Sequence, residues 1–167
     1  MTFVVHLGLV SAIVLSPCLA AAGAQTPGPP PARAAGPLAD SLRAFALGMA
    51  AMLRNLDAQG TIALYGDRSH FVHVENGNVI PWSELSGMMT SYFATAKRNP
   101  LSVIGEPGVT IVDESNAVVY VVHHFDANEG RPAHDGVWTG VLHRFPDGWK
   151  IVHSHSSDRR PLHETRR

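Results

Sequence analysis

Trp149, Ile151, His153 and His155 fall at every second position of one strand-like run, with Val152, Ser154 and Ser156 among the residues between and beyond them. In an extended chain alternate side chains share a face. The apolar pair Trp149 and Ile151 marks that face as buried, so the spacing predicts that His153 and His155 point inward with them. Two imidazoles so placed support three chemistries. One histidine, titrating near neutrality, removes a proton next to a carbonyl while the second orients it or protonates the oxygen. Alternatively His-x-His on a strand holds a metal, completed by His143 and by whichever of His123 and His124 faces the same way. Or the pair is structural, hydrogen-bonded to backbone, water or neighbouring serines, as buried polar groups must be. Tyr65, Trp82, Tyr92, His123 and Trp138 are the side chains expected to line an apolar pocket around the pair. His70, His73 and His134 read as surface or turn residues, and His163 belongs to the tail.

The elements that must position these residues are legible in the periodicity. Leu42, Phe45, Met49, Leu53 and Leu56 recur at helical spacing, with Asp40 or Ser41 as the expected cap. A shorter helix follows over 57–65, weakened by Gly60. Phe71 to Val74, a Glu75-Asn76-Gly77-Asn78 turn and Val79-Ile80 spell a hairpin, because Asn-Gly supplies the two positive-φ positions a tight turn needs. Pro81-Trp82-Ser83-Glu84 opens a second long helix with Leu85, Met88, Met89, Tyr92 and Ala96 on one stripe, stopped at Asn99-Pro100. Strand-like runs then occupy 101–104, 109–112, 117–125, 136–145 and 149–156, separated by Gly-, Pro- and Asn-rich turns. Helices first and strands after predict an α+β fold with an antiparallel sheet. Ala117 to Val122 is apolar on both faces and needs cover on both. The helices supply one cover, and a second copy of the chain is expected on the other, making a homodimer.

Composition narrows the partners. The 167 residues are 45% hydrophobic and 16% charged, with a formal net charge of -1. No basic excess calls for nucleic acid. No Asp, Glu, Lys or Arg precedes Arg33, and an apolar run over 3–15 leads to Ala22-Gly23-Ala24 before Gln25. This is the layout of an export signal over residues 1–24, too short for a membrane span. It carries Cys18, the chain's single cysteine, so the mature protein needs no disulfide and is no thiol enzyme. A Pro/Ala/Gly-rich linker is expected over 25–37, the domain over 38–158 and a basic tail over 159–167. The expected location is the periplasm or the medium.

The last hairpin is the most specific segment: Gly136-Val137-Trp138-Thr139-Gly140-Val141-Leu142-His143-Arg144, then Asp147-Gly148-Trp149-Lys150-Ile151-Val152-His153-Ser154-His155-Ser156-Ser157. With Asp57 to Gly66 leading into a short strand, it resembles the SnoaL-like branch of the nuclear-transport-factor-2-like superfamily over roughly residues 38–158. The resemblance implies a cone-shaped, curved antiparallel sheet packed around N-terminal helices. It also implies a small-molecule pocket, with isomerase, cyclase or dehydratase chemistry that needs no cofactor, or a non-catalytic ligand-binding or assembly role. The isomerase's Tyr-Asp-Asp set has no match here, and Asp126 and Asp135 read as strand-end residues.

Overall fold

The computed structural model describes residues 34–128 and 130–159, the side chain of residue 159 excepted. The expected export signal with Cys18, most of the expected linker, the tail after residue 159 and His163 lie outside the described residues.

Helix α1 (Pro37–Arg54) buries Ala39, Leu42, Ala46, Met49 and Ala50. It starts earlier than Asp40 or Ser41 would allow. Gly36, at φ 103°, is the cap, and proline occupies the first turn. A proline there loses nothing, since its missing N–H would have had no helical partner. Helix α2 (Ala58–Ala63) is one short stretch capped by the Asp57 carboxylate, which accepts from the Gly60 amide at 2.8 Å. Strands β1 (Val72–Glu75) and β2 (Asn78–Pro81) form the expected hairpin, with Asn76 at φ 48° and Gly77 at φ 87° in its turn. Helix α3 (Trp82–Thr95) follows directly. Strands β3 (Leu101–Val103), β4 (Gly108–Ile111), β5 (Asn116–Phe125), β6 (His134–Phe145) and β7 (Gly148–Arg159) complete the elements of the described residues.

The seven strands make one curved, open sheet in the order β2-β1-β7-β6-β5-β3, with β4 also paired to β5. Every pairing between these strands is antiparallel except one. β1 lies parallel to β7, in the register Val72 to His153 through Glu75 to Ser156. The sheet is therefore mixed, where the strand order in the sequence suggested an antiparallel one. A parallel neighbour needs a long crossover, and everything from β2 to β6 supplies it.

Cross-strand register separates the two faces. Ala117, Val119, Val121 and His123 of β5 stand opposite Leu142, Gly140, Trp138 and Gly136 of β6, and this is the concave side covered by the helices. Leu42, Val119, Leu142 and Ile151 are fully buried there. α1 packs on β3, β4 and β5, whereas α3 packs on β1 and β2. The convex side carries Val118, Tyr120 and Val122, less covered, with Tyr120 at 45% exposure. Within the described residues no helix is long and apolar enough to cross a membrane.

Candidate functional site

A β-bulge decides which side chains of β7 face the helices. Leu142 pairs with Ile151, but its neighbour Val141 pairs with His153, so Val152 is an extra residue with no partner on β6. One inserted residue reverses the alternation beyond it. Ile151 is buried on the concave side, and past the bulge the residues sharing that side are Ser154, Ser156 and Asp158. His153 and His155, expected to point inward with Trp149 and Ile151, stand instead on the convex side, opposite Val141 and Thr139. They flank Val72 and Val74 of β1 there and are partly exposed.

The inward position holds a different histidine. His73 of β1 pairs in register with Ser154, and its Nδ1 shares a 2.8 Å hydrogen bond with the Ser154 Oγ. Both residues are buried, Ser154 completely. Burial pushes the His73 pKa below its ordinary 6.5; contact with the Ser154 backbone offsets part of the shift, and His155 and His153 add to the lowering. A buried neutral imidazole bonded to a hydroxyl is thus set into the floor of the concave face. His73, read from sequence as a surface or turn residue, is the floor's main polar group. Its signal was present: it lies two residues from Phe71, whose ring is buried, so period-two alternation turns both inward.

His123 is the second concave imidazole and is likewise buried; its neighbour His124 faces out. The His123 ring lies across Gly136, where an added Cβ would sit 2.5 Å from its Nε2. Gly136 in turn pairs with Asp158 on β7. Burial lowers the His123 pKa. A backbone bond to Val121 and the charges of Asp158 and Asp135 pull it back, while His134 pushes it further down. Asp158 is held by the β1–β2 turn: its Oδ2 accepts from Asn76 Nδ2 at 3.2 Å, and its amide donates to Asn76 Oδ1 at 3.0 Å. His134 stands with Nε2 3.9 Å from Asp158 Oδ1, its ring stacked on Phe125 at 5.2 Å. One end of the concave face therefore gathers His123, His134 and Asp158, and the His73–Ser154 pair lies on the same face four residues back along β7 from Asp158. Ser154 and Asp158 escaped sequence reasoning because the bulge that turns them inward leaves no periodic mark.

The expected pocket-lining residues divide. Trp138 lies on the concave side against Gly140 and the core. Tyr65 and Trp82 join Phe71 in a packed aromatic trio with ring centres 5.1–5.7 Å apart. Burial pushes the Tyr65 phenol up to about 12, so it stays a neutral donor. Tyr92 sits on α3 at 36% exposure, edge-on to Phe93. His143, a possible partner in the metal reading, faces the convex side, and among the described residues no group of three or more His, Cys, Asp or Glu is placed to hold a metal.

The chain matches the sequence model of a family described as SnoaL-like domain over residues 42–161. Its fold is similar to that of an NTF2-like superfamily protein from Salmonella enterica serovar Typhimurium, at 18% identity and a TM-score of 0.61, covering 77% of this chain and 95% of that one. An NTF2-like protein of unknown function from Pseudomonas putida gives 14% identity and a TM-score of 0.60, with 76% and 90% covered. A ketosteroid isomerase-like protein from Erwinia carotovora atroseptica gives 18% and 0.54, with 71% and 93% covered. At these identities the likeness shows the fold alone. No curated protein matches the chain.

Proposed function

This chain belongs to the SnoaL-like domain family, and from that premise we propose that it is an exported domain that takes an apolar, carbonyl-bearing small molecule onto its concave face and does cofactor-free acid–base chemistry on it. The observation that carries the reading is that His73, Ser154 and His123 all lie on the helix-covered side, with both imidazoles kept toward their neutral form by burial. A neutral imidazole is the form that accepts a proton. His123 is the base, since it adjoins the open cluster of His134 and Asp158, and the Asp158 charge favours the imidazolium formed on proton transfer. His153 and His155, facing away, support the convex surface instead. One neighbour's ketosteroid isomerase-like description is compatible with such proton transfer.

The alternative, a non-catalytic ligand-binding or assembly module, is favoured by the complete burial of Ser154, which leaves no access to it without movement. The half-exposed Tyr120 on the convex side supports a homodimer formed through that face.

The test uses the mature chain from Gln25, purified without a metal-affinity tag. Incubated in deuterated water with a panel of apolar ketones, it should wash deuterium into positions next to the carbonyl, and His123→Gln should abolish this while the fold persists. Saturable ketone binding without exchange would establish the binding module; exchange undiminished in His123→Gln would remove His123 as the base. Native mass spectrometry of the same sample reads the dimer directly.

A further inference from the structure

A second polar constellation lies on the convex side, at the β6–β7 hairpin end of the sheet and away from the concave face. An open depression there is lined by Asp67, Asn116, His143, Phe145 and Val152. Four elements meet in it: the α2–β1 connection, the start of β5, the end of β6, and the bulge residue of β7.

The hydrogen-bond role of each His143 ring nitrogen follows from its partners. Asp113 lies below the usual carboxylate range because Asn116 and the Ser115 amide donate to it. Its two oxygens take Asn116 Nδ2 at 3.0 and 2.9 Å. A carboxylate only accepts, so Asn116 must present its amide nitrogen to Asp113 and its Oδ1 to the other side. That Oδ1 lies 2.8 Å from His143 Nδ1. An amide oxygen also only accepts, so Nδ1 carries the hydrogen and the lone pair of the neutral ring is on Nε2. Nε2 has no partner among the described residues. The His143 ring is further held edge-on to Phe145, 4.9 Å between centres.

Across the depression stands Asp67, whose backbone has φ 43°. Its Oδ1 takes Ser69 Oγ and His70 Nδ1, each at 3.0 Å. Those bonds hold the carboxyl below its ordinary pKa and leave Oδ2 unpartnered among the described residues. The neighbouring cations are committed elsewhere. Lys150 reaches Ala63 O and Asp147, and Arg68 reaches Ile62 O and Tyr65 O while lying over Trp82. The depression therefore offers a carboxylate oxygen and an imidazole lone pair as acceptors, and the apolar surfaces of Phe145 and Val152. A complementary ligand brings donors, a positive charge and a short apolar arm.

We propose that this depression is a binding site for a primary alkylammonium group, held between Asp67 Oδ2 and His143 Nε2 with its alkyl arm on Phe145 and Val152. The site is separate from the concave face and independent of what that face does.

The test is a heteronuclear NMR titration of the mature chain with n-butylammonium chloride. Saturable shifts should appear at Asn116, His143 and Val152. Asp67→Asn, which keeps a side chain tolerant of positive φ, should weaken binding about tenfold, the loss expected for one charge-assisted hydrogen bond. Sodium butyrate should leave these signals unmoved. Absence of saturation, or equal affinity in Asp67→Asn, would overturn the proposal. The imidazole nitrogen spectrum gives a second check: hydrogen on Nδ1 is expected, and hydrogen on Nε2 at neutral pH overturns the acceptor role of His143. Nα-acetyl-lysine amide, whose one ammonium is the side-chain group, in place of butylammonium separates sources. Tighter binding of the acetylated lysine amide assigns a protein side chain and tighter binding of butylammonium a free amine, both within the ammonium class.

Discussion

At the scale of single residues, the His73–Ser154 bond is the group most exposed to a small change. Ser154→Ala removes the hydroxyl and leaves the buried His73 Nδ1 without its partner. An orphaned buried polar atom costs about 1–3 kcal/mol, so denaturant unfolding of Ser154→Ala should show a loss of that size. A buried Ser154 that merely filled space would lose only a few tenths.

Histidines also set a pH profile with two limbs. His73 and His123 have folded pKa values pushed below 6.5 by burial. The unfolded chain binds more protons than the folded one in that window, so their contribution is full above about 6.5 and is lost as pH falls toward the folded values. His124 behaves oppositely. Its bond to Asp135, Nδ1 to Oδ1 at 2.7 Å, holds its pKa above 6.5. That contribution is full below about 6.5 and is lost as pH rises through the raised value. Stability should therefore pass through a maximum near 6.5, and His124→Ala should flatten the alkaline limb alone. A monotonic profile across pH 5 to 8 would contradict the arrangement. The carboxylates of Asp67 and Asp113, lowered from 3.8, act only in acid well below this range.

At the scale of elements, most of the chain announces itself. The helices, the Asn76-Gly77 hairpin and the five later strands follow from periodicity and turn chemistry because each is a local property. The failure lies in one residue. Alternation from Trp149 and Ile151 extends naturally to His153 and His155, and only the unpaired Val152 breaks it. A bulge arises from how two strands share hydrogen bonds across the sheet, and neither strand's own sequence need record it. The pairing of His73 with Ser154 is equally non-local, spanning 81 positions of the chain. Deleting Val152 would restore strict alternation. It would turn His153 and His155 under the helices, separate Ser154 from His73 and shift the register with β1. Such a deletion should cost about 3 kcal/mol or more, a size typical of breaking a buried network. A melting transition within a few degrees of the parent would show that the bulge is incidental.

At the scale of the molecule, the α+β class and the helix-covered face were readable from element order, while the mixed character of the sheet was not. Parallel pairing of the first strand with the last depends on how the whole chain returns on itself. The same pairing is reinforced by Asn76 and Asp158, which bond to each other twice between the β1–β2 turn and the end of β7. It also sets a timetable. The hairpin joins the sheet only through β7, so as the polypeptide grows, β1, β2 and α3 are made early and have no strand to rest on until the final segment appears. Pairings of such long separation are slow to form. A chain ended at Gly148 should thus lose protection from hydrogen exchange at Val72 to Pro81, far upstream of the cut, as well as around the cut itself. On the proposed reading of an exported protein, a seam that closes last keeps the chain open until its end has arrived.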